Sequence, residues 1–115
     1  GLRRAFVLAG AKTLVMSLWK VSDLATAIFM ERFYVNLLNR HLARDESLRE
    51  AQFYLRDLTI SDIRDRWLFA EMIDRLSAGN KETKRELQEL AGQTEDYHPF
   101  KHPFYWGAFI CQGDP

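Results

Sequence analysis

Two short strand-like segments constrain this chain more than any other feature of its sequence. Residues 12–18 form a nearly continuous apolar run, and residues 105–111 form a second apolar segment rich in aromatic side chains. Such runs are typical of strands that are covered on both faces, as in a central or parallel strand. Because helical patterns fill the chain between them, the sequence predicts an α/β domain. Two strands are too few for a stable sheet, so we expect the chain to be part of a larger fold.

The composition excludes several classes of partner. The 16 basic and 16 acidic residues balance, so nothing favours binding to nucleic acid or to an anionic membrane. No apolar run approaches the roughly 20 residues of a membrane-spanning helix, and residues 1–9 are too short in apolar length for a signal peptide. The single cysteine cannot form an intramolecular disulfide, which favours a reducing compartment. We therefore expect a cytoplasmic protein with no nucleic-acid or membrane partner.

Helical periodicity and capping residues predict four to five helices between and beside the strands. Ser22 or Asp23 suits the N-cap of the helix that follows the first strand, and that helix runs to about His41. Pro99 and Pro103 are expected to keep residues 93–103 out of regular structure. The predicted helices cover residues 1–9, 22–41, 45–58, 59–79 and 80–91, with Gly10, Gly79 and Gly92 as stop signals.

Sequence motifs at the two ends of the chain point to one family. Residues 1–23 contain Gly-Leu-Arg-Arg-Ala-Phe, then Ala-Gly-Ala, then Ser-Leu-Trp-Lys-Val-Ser-Asp. Residues 102–109 read His-Pro-Phe-Tyr-Trp-Gly-Ala-Phe, and residues 48–52 match a helix motif in part. These motifs resemble the C-terminal half of a CHAT domain, a caspase-like family. Residues 56–97 match none of its motifs, so we interpret them as a variable helical insertion within one partial domain over residues 1–115.

The resemblance implies a fold and an activity. It implies a caspase-like three-layer α/β/α sandwich with a mainly parallel sheet, to which this chain contributes about two strands and four to five helices. It also implies a cysteine endopeptidase whose catalytic residues lie in a His-Gly loop and an Ala-Cys segment, upstream of this chain. Neither motif occurs here, because no histidine precedes a glycine and Cys111 follows an isoleucine. We therefore expect no catalytic residue, no cofactor and no peptidase activity from this chain alone.

The resemblance also places a substrate cleft at the end of the first strand. In caspase-like enzymes the segment that leaves the equivalent strand pairs with the peptide, and its aromatic residue shapes a side-chain pocket. The indole N–H of a tryptophan there would stay near water or substrate carbonyls. Two structural alternatives stay open: Trp19 can simply cover the sheet, and Asp23 can simply cap a helix. The candidate substrate-binding residues are Ser17, Leu18, Trp19, Lys20 and Asp23.

Other residues with chemical potential have structural interpretations that we favour. A nucleophilic thiol needs an electropositive, partly exposed setting, whereas Cys111 follows an apolar run and is expected to pack as a small hydrophobic side chain. His98, His102 and Cys111 match no zinc spacing, so we expect no metal site. We expect His102 to satisfy backbone groups beside Pro103, and Trp106 to fill the core.

Three classes of function follow from the sequence. The first is the non-catalytic C-terminal half of a CHAT-type cysteine endopeptidase, which completes the sheet and one wall of the peptide cleft. Its partners would be the upstream half of the same domain and a peptide or protein substrate. The second is an inactive CHAT-like signalling or scaffold domain, and the third is a free-standing helical binding module.

Two further expectations concern surfaces. The charged segment over residues 81–89 is expected to be a solvated helix face, although a regulatory protein partner could also bind it. The strand at residues 12–18 is expected to leave an unpaired edge, which would make the isolated chain poorly stable or prone to associate.

Overall fold

The computed structural model describes residues 5–7, 13–67 and 81–113, and these residues form an α/β arrangement. Two strands precede the described helices and one strand follows them, and this mixed arrangement is compatible with the predicted α/β class. A π-helical stretch, Val35–Asn39, extends the first helix. The elements are β1 (Ala5–Val7), β2 (Thr13–Ser17), α1 (Asp23–Tyr34), α2 (Arg44–Asp57), α3 (Ile60–Trp67), α4 (Lys81–Ala91), α5 (Pro103–Trp106) and β3 (Phe109–Gly113).

The sheet has β2 at its centre, with the strand order β1-β2-β3. Ala5 lies opposite Met16 in one antiparallel pair, and Ser17 lies opposite Phe109 in the other. The central strand predicted for residues 12–18 is thereby confirmed, but its neighbours are antiparallel rather than parallel. The expected unpaired edge of β2 is wrong, because β1 and β3 pair with its two edges.

The helix predicted over residues 1–9 is also wrong for the part that the structure describes, because Ala5–Val7 form a strand. A short apolar run does not distinguish a helix from a buried strand by its periodicity. Pairing with β2 satisfies backbone groups that would otherwise form an open sheet edge, and this tertiary contribution favours the extended form. Residues 1–4 and 8–12, including the predicted stop at Gly10, lie outside the described residues.

Helix α1 begins where the capping pattern predicts. The Ser22 side chain accepts a hydrogen bond from the Ala25 N–H at 3.0 Å, so Ser22 is the N-cap and Asp23 is the first helical residue. At the other end the Leu42 N–H donates to the Asn36 carbonyl at 2.9 Å, and His41 has a φ of +53°. This backbone reversal ends the helical segment close to its predicted limit.

The core lies between the sheet and helices α1 to α4. The Phe29 and Phe109 rings stack with centroids 4.0 Å apart, which joins α1 to β3. Helix α2 contributes Ala51 and Leu55, which are one turn apart and fully buried. Other fully buried members of this core include Val15, Leu24, Ile28, Phe33, Ile60, Ile63 and Leu87.

Helices α3 and α4 fall within the segment interpreted as an insertion, residues 56–97. Ile63 and Leu87 bring both helices into the same core as the sheet. The helix predicted over residues 59–79 is helical through Trp67, and the rest of it lies outside the described residues. That residues 56–97 are a variable insertion stays a prediction.

An ion-pair network joins α1 to α2. The Arg32 guanidinium donates to both oxygens of Glu50, at 2.7 and 2.8 Å. The buried Asn36 donates to the Ser47 carbonyl at 3.1 Å and to Glu50 at 2.7 Å. The hydrogen bond from Arg32 lowers the pKa of Glu50 against the opposing effect of burial.

The last strand begins later than predicted. Residues 105–111 were expected to be a strand, but Tyr105 and Trp106 belong to α5, and β3 starts at Phe109. The reason is local, because Pro103 is well suited to the first turn of a helix and His102 caps that turn.

Candidate functional site

The candidate site is the loop that connects β2 to α1. Ser17 is buried at the end of β2, whereas Leu18, Trp19 and Lys20 are exposed. The Leu18 N–H donates to the Ala108 carbonyl at 2.8 Å, which continues the pairing with the β3 side for one residue. Val21 then returns to the core at 4% exposure. The loop is therefore anchored on both sides of an exposed tripeptide.

Trp19 is held by α5 while part of its ring stays exposed. Its Nε1 donates to the Phe104 carbonyl oxygen at 2.8 Å. The two rings stack with centroids 6.1 Å apart at an interplanar angle of 29°. Trp19 is 36% exposed and Phe104 is 45% exposed. The expectation that the indole N–H stays near water or substrate carbonyls is wrong, because a backbone carbonyl of this chain accepts it.

The short helix α5 is shaped by its own sequence. His102 Nδ1 accepts a hydrogen bond from the Phe104 N–H at 3.1 Å, so the expectation that His102 satisfies backbone groups is confirmed. A Cβ added at Gly107 would lie 2.8 Å from the Pro103 carbonyl oxygen. The end of this turn therefore leaves no room for a side chain at Gly107.

Trp106 lies on the other side of α5. Its Nε1 donates to the Lys101 carbonyl at 2.9 Å, and its ring meets Phe53 edge-on at 6.1 Å. The ring is partly buried and packs against the core, so the expected filling role is confirmed in part. The two tryptophans thus fix α5 to the β2–α1 loop and to α2, respectively.

Helix α4 forms a wall next to the loop. A cleft of about 180 Å³ lies between residues 20–23 of the loop and Glu82, Thr83 and Glu86 of α4. It is smaller than the roughly 300 Å³ at which ligand pockets commonly begin. The Ser22 hydroxyl, which accepts from the Ala25 N–H, donates to the Glu86 carboxylate. The N-cap of α1 is thereby joined to α4.

The Glu86 carboxyl is unusual for a residue in a highly charged helix. Burial raises its pKa, and the nearby Asp23 and Glu89 carboxylates add to that effect. Its Oε1 atom is buried without a hydrogen-bond partner. The segment over residues 81–89 is therefore solvated on one face only, since Thr83 and Leu87 are also buried.

The five predicted site residues are contiguous in space, but they differ in character. Leu18, Trp19 and Lys20 present their side chains at the surface, while Ser17 is buried. Asp23 is in the first turn of α1, where a carboxylate is stabilised by the helix dipole. Whether these residues bind substrate stays a prediction.

Two neighbours of the loop were missed by sequence reasoning. Phe104 is separated from Trp19 by 85 positions, and no local pattern relates the two. Glu86 could have been found, because it lies three residues after Thr83 and four residues before Leu90, on the buried stripe of α4. A carboxylate on a buried stripe predicts a polar contact with a neighbouring element.

Cys111 and the histidines have structural roles in the described part of the chain. Burial raises the pKa of the Cys111 thiol, so it is protonated at neutral pH, and it packs against the core as expected. His98 Nδ1 lies 3.0 Å from the Asp57 carbonyl oxygen. Among the described residues, no group of three or more His, Cys, Asp or Glu side chains could hold a metal ion.

The fold and the site together define a class of protein. The described sheet is antiparallel, and its central strand ends in a loop that carries the exposed Trp19. Helices bury one face of that sheet. No described helix is long and apolar enough to cross a membrane.

The family model of the CHAT domain matches residues 1–114, so this chain belongs to the CHAT family. No curated protein and no solved structure matches the chain.

Proposed function

We propose that this chain completes the sheet of a CHAT-type cysteine endopeptidase and forms one wall of its peptide-binding cleft. The observation that carries this proposal is that Trp19 is held in place and yet remains partly exposed. Its ring is fixed by a 2.8 Å hydrogen bond and by stacking, yet about a third of it remains exposed. A side chain that only covered a sheet would gain from complete burial. A fixed and exposed aromatic ring suits recognition of a ligand.

The position of the loop supports the same proposal. The resemblance to caspase-like enzymes implies that the peptide lies beside the segment that leaves this strand, and Trp19 lies two residues past Ser17, the last residue of β2. In an antiparallel strand the N–H and C=O of one residue point to one edge, and those of the next residue point to the other edge. Because the Leu18 N–H points to β3, the peptide groups of Ser17 point to the opposite edge. β1 occupies this edge alongside Leu14, Val15 and Met16. A substrate would therefore pair as an added strand only beyond Met16, flanked by Leu18 and Lys20.

The sheet also supports a caspase-like sandwich in the intact domain. Val15 and Phe109 face the main core, whereas the opposite face carries Leu14, Met16 and Ile110, which belong to no described part of that core. On this face Met16 is buried at 8% exposure, whereas Leu14 and Ile110 are half-buried. We propose that the upstream half of the domain covers this second face and supplies the catalytic His and Cys. The single cysteine, which cannot form an intramolecular disulfide, suits a reducing compartment such as the cytoplasm.

A photo-crosslinking experiment on the full-length protein tests this function. A peptide inhibitor with a thiol-reactive group for the upstream Cys and a photoreactive side chain is bound, irradiated and mapped by mass spectrometry. We expect crosslinks to residues 17–23 and none to Tyr34, an equally exposed aromatic residue at the far end of α1. Crosslinks that avoid residues 17–23, or no peptide binding at all, would contradict the proposal and favour the inactive scaffold.

The isolated chain is the control for that experiment. It should neither cleave peptides nor react selectively with the thiol-directed inhibitor, because Cys111 is its only thiol and is protonated. Sequence-selective cleavage that disappears in Cys111→Ala would show instead that the chain carries its own nucleophile.

A further inference from the structure

The structure assigns Phe104 to the same cleft wall as Trp19, and we propose that the pair selects a large apolar side chain of the substrate. This inference rests on the proposed function and extends it in two respects. It adds a specificity-determining residue from α5, and it names the chemical class of the substrate side chain.

The two rings present a surface made of carbon atoms. They stack at 6.1 Å with an interplanar angle of 29°, and both remain more than a third exposed. The one polar atom of the indole, Nε1, already donates to the Phe104 carbonyl. The pair therefore offers no hydrogen-bond donor to a substrate, and contact with it removes apolar area from water without satisfying any polar group.

The Trp19–Phe104 pair is rigid because α5 fixes Phe104 to the core. The Phe104 ring meets Tyr105 edge-on at 5.4 Å, and Tyr105 meets Phe100 at 5.1 Å. Phe100 is 2% exposed. His102 caps the turn that carries Phe104. A wall that is ordered before the substrate arrives loses little side-chain entropy on binding.

The charges beside the pair are mixed and favour neither sign. Lys20 follows Trp19 but lines the cleft beside α4 together with Asp23, Glu82 and Glu86, so a charged substrate side chain of either sign would meet both attraction and repulsion there. An acidic side chain could meet Lys20, although it would leave the two rings without an apolar partner. The apolar side chain is thus the class that uses the largest part of the surface.

The test uses the full-length protein and a peptide library in which each position is varied through apolar, basic and acidic side chains. Both binding and cleavage are measured for wild type, Trp19→Ala, Phe104→Ala and Phe53→Ala. Phe53 is the matched control, because it is also exposed and contacts α5 through Trp106 but lies away from the Trp19 ring. Phe104→Leu keeps an apolar side chain on α5 in case Phe104→Ala weakens folding.

We expect wild type to prefer large apolar side chains at one peptide position. Trp19→Ala and Phe104→Ala should each reduce that preference at the same position by roughly 2- to 10-fold, the size of one aromatic contact. Phe104→Leu should fall between them and wild type, and Phe53→Ala should leave the preference unchanged.

The contrary outcomes separate the inference from the proposed function. If Trp19→Ala changes the preference but Phe104→Ala and Phe104→Leu do not, Trp19 lines the cleft and the role of Phe104 is wrong. A preference for charged side chains at the position governed by Trp19 would overturn the substrate class alone. If neither Trp19→Ala nor Phe104→Ala changes any preference, or no peptide binds, the cleft assignment itself is wrong.

Discussion

The indole Nε1 of Trp19 donates a hydrogen bond to the carbonyl of Phe104, which lies 85 residues further along the chain. This contact ties the loop after the central strand to the turn before the last strand. Two segments that are far apart in the sequence therefore lie side by side at the surface.

The cap of α5 should depend on the acceptor nitrogen of His102. Because Nδ1 accepts from the Phe104 N–H, His102→Ala should lower the free energy of unfolding of the full domain by about 1 kcal/mol. His102→Asn should retain most of that stability, since an asparagine oxygen can accept the same bond. Chemical denaturation of both variants measures the difference, and equal losses would show that the cap contributes nothing.

Gly107 should not tolerate a methyl group, whereas Gly92 should. A Cβ at Gly107 would lie 2.8 Å from a backbone oxygen, which cannot yield without moving α5. At Gly92 the nearest atom is 3.5 Å away, an ordinary contact. We expect Gly107→Ala to destabilise the domain by about 1–3 kcal/mol and Gly92→Ala to change it by less than about 0.5 kcal/mol. Thermal melting of the pair checks this, and equal melting temperatures would refute it.

Glu86→Gln should stabilise the domain at neutral pH. The pKa of Glu86 is raised in the folded state, so the folded protein bears the unfavourable burial of a carboxylate at pH 7. Glutamine removes the charge and can still accept from the Ser22 hydroxyl. The advantage should shrink as the pH is lowered through the raised pKa towards about 4.3, where wild type is protonated as well.

Melting temperatures between pH 4 and pH 8 measure the Glu86 effect. Glu82→Gln is the control, because Glu82 is an exposed carboxylate one turn earlier on α4 and is not among the groups that raise the pKa of Glu86. A constant difference between Glu86→Gln and wild type across this range would show that the carboxylate does not titrate differently on folding.

Glu50→Gln should have the opposite pH dependence. Arg32 lowers the pKa of Glu50, so the ion pair stabilises the fold above the unfolded pKa of about 4.3 and the contribution is lost as the pH falls below it. The variant should therefore be less stable than wild type at pH 7, and the gap should close in acid. Asp57→Asn removes a more exposed pair with Arg56 and should change stability little. Equal losses at pH 7 and pH 3 for Glu50→Gln would contradict this account.

Local chemistry made parts of the fold predictable from the sequence. The β2 strand followed from its continuous apolar run, and the start of α1 followed from the capping potential of Ser22. The strand β1 was missed because a short apolar run leaves helix and strand equally favourable, and pairing with β2 decides between them. The turn α5 was missed because Pro103 was interpreted only as a breaker, although proline also suits the first turn of a helix.

The candidate site likewise has one part that the sequence predicted and one part that it could not predict. Its five residues are close in sequence, so one motif was enough to place them together. The hydrogen bond that fixes Trp19 depends on how β3 aligns with β2, and no local pattern contains that information. The consequence for recognition, an apolar wall with its N–H already used, therefore required the structure.

The most direct test of the central claim is the Trp19→Ala variant of the full-length protein, with peptide kinetics and melting measured on the same sample. Tyr34→Ala is the control, because Tyr34 is comparably exposed on α1. We predict that Trp19→Ala reduces kcat/KM by an amount that depends on the substrate side chain, with a stability loss of about 1–3 kcal/mol, since the ring is only partly buried. A larger loss of stability with unchanged kinetics in the folded fraction would contradict the claim and make Trp19 a cover for the sheet.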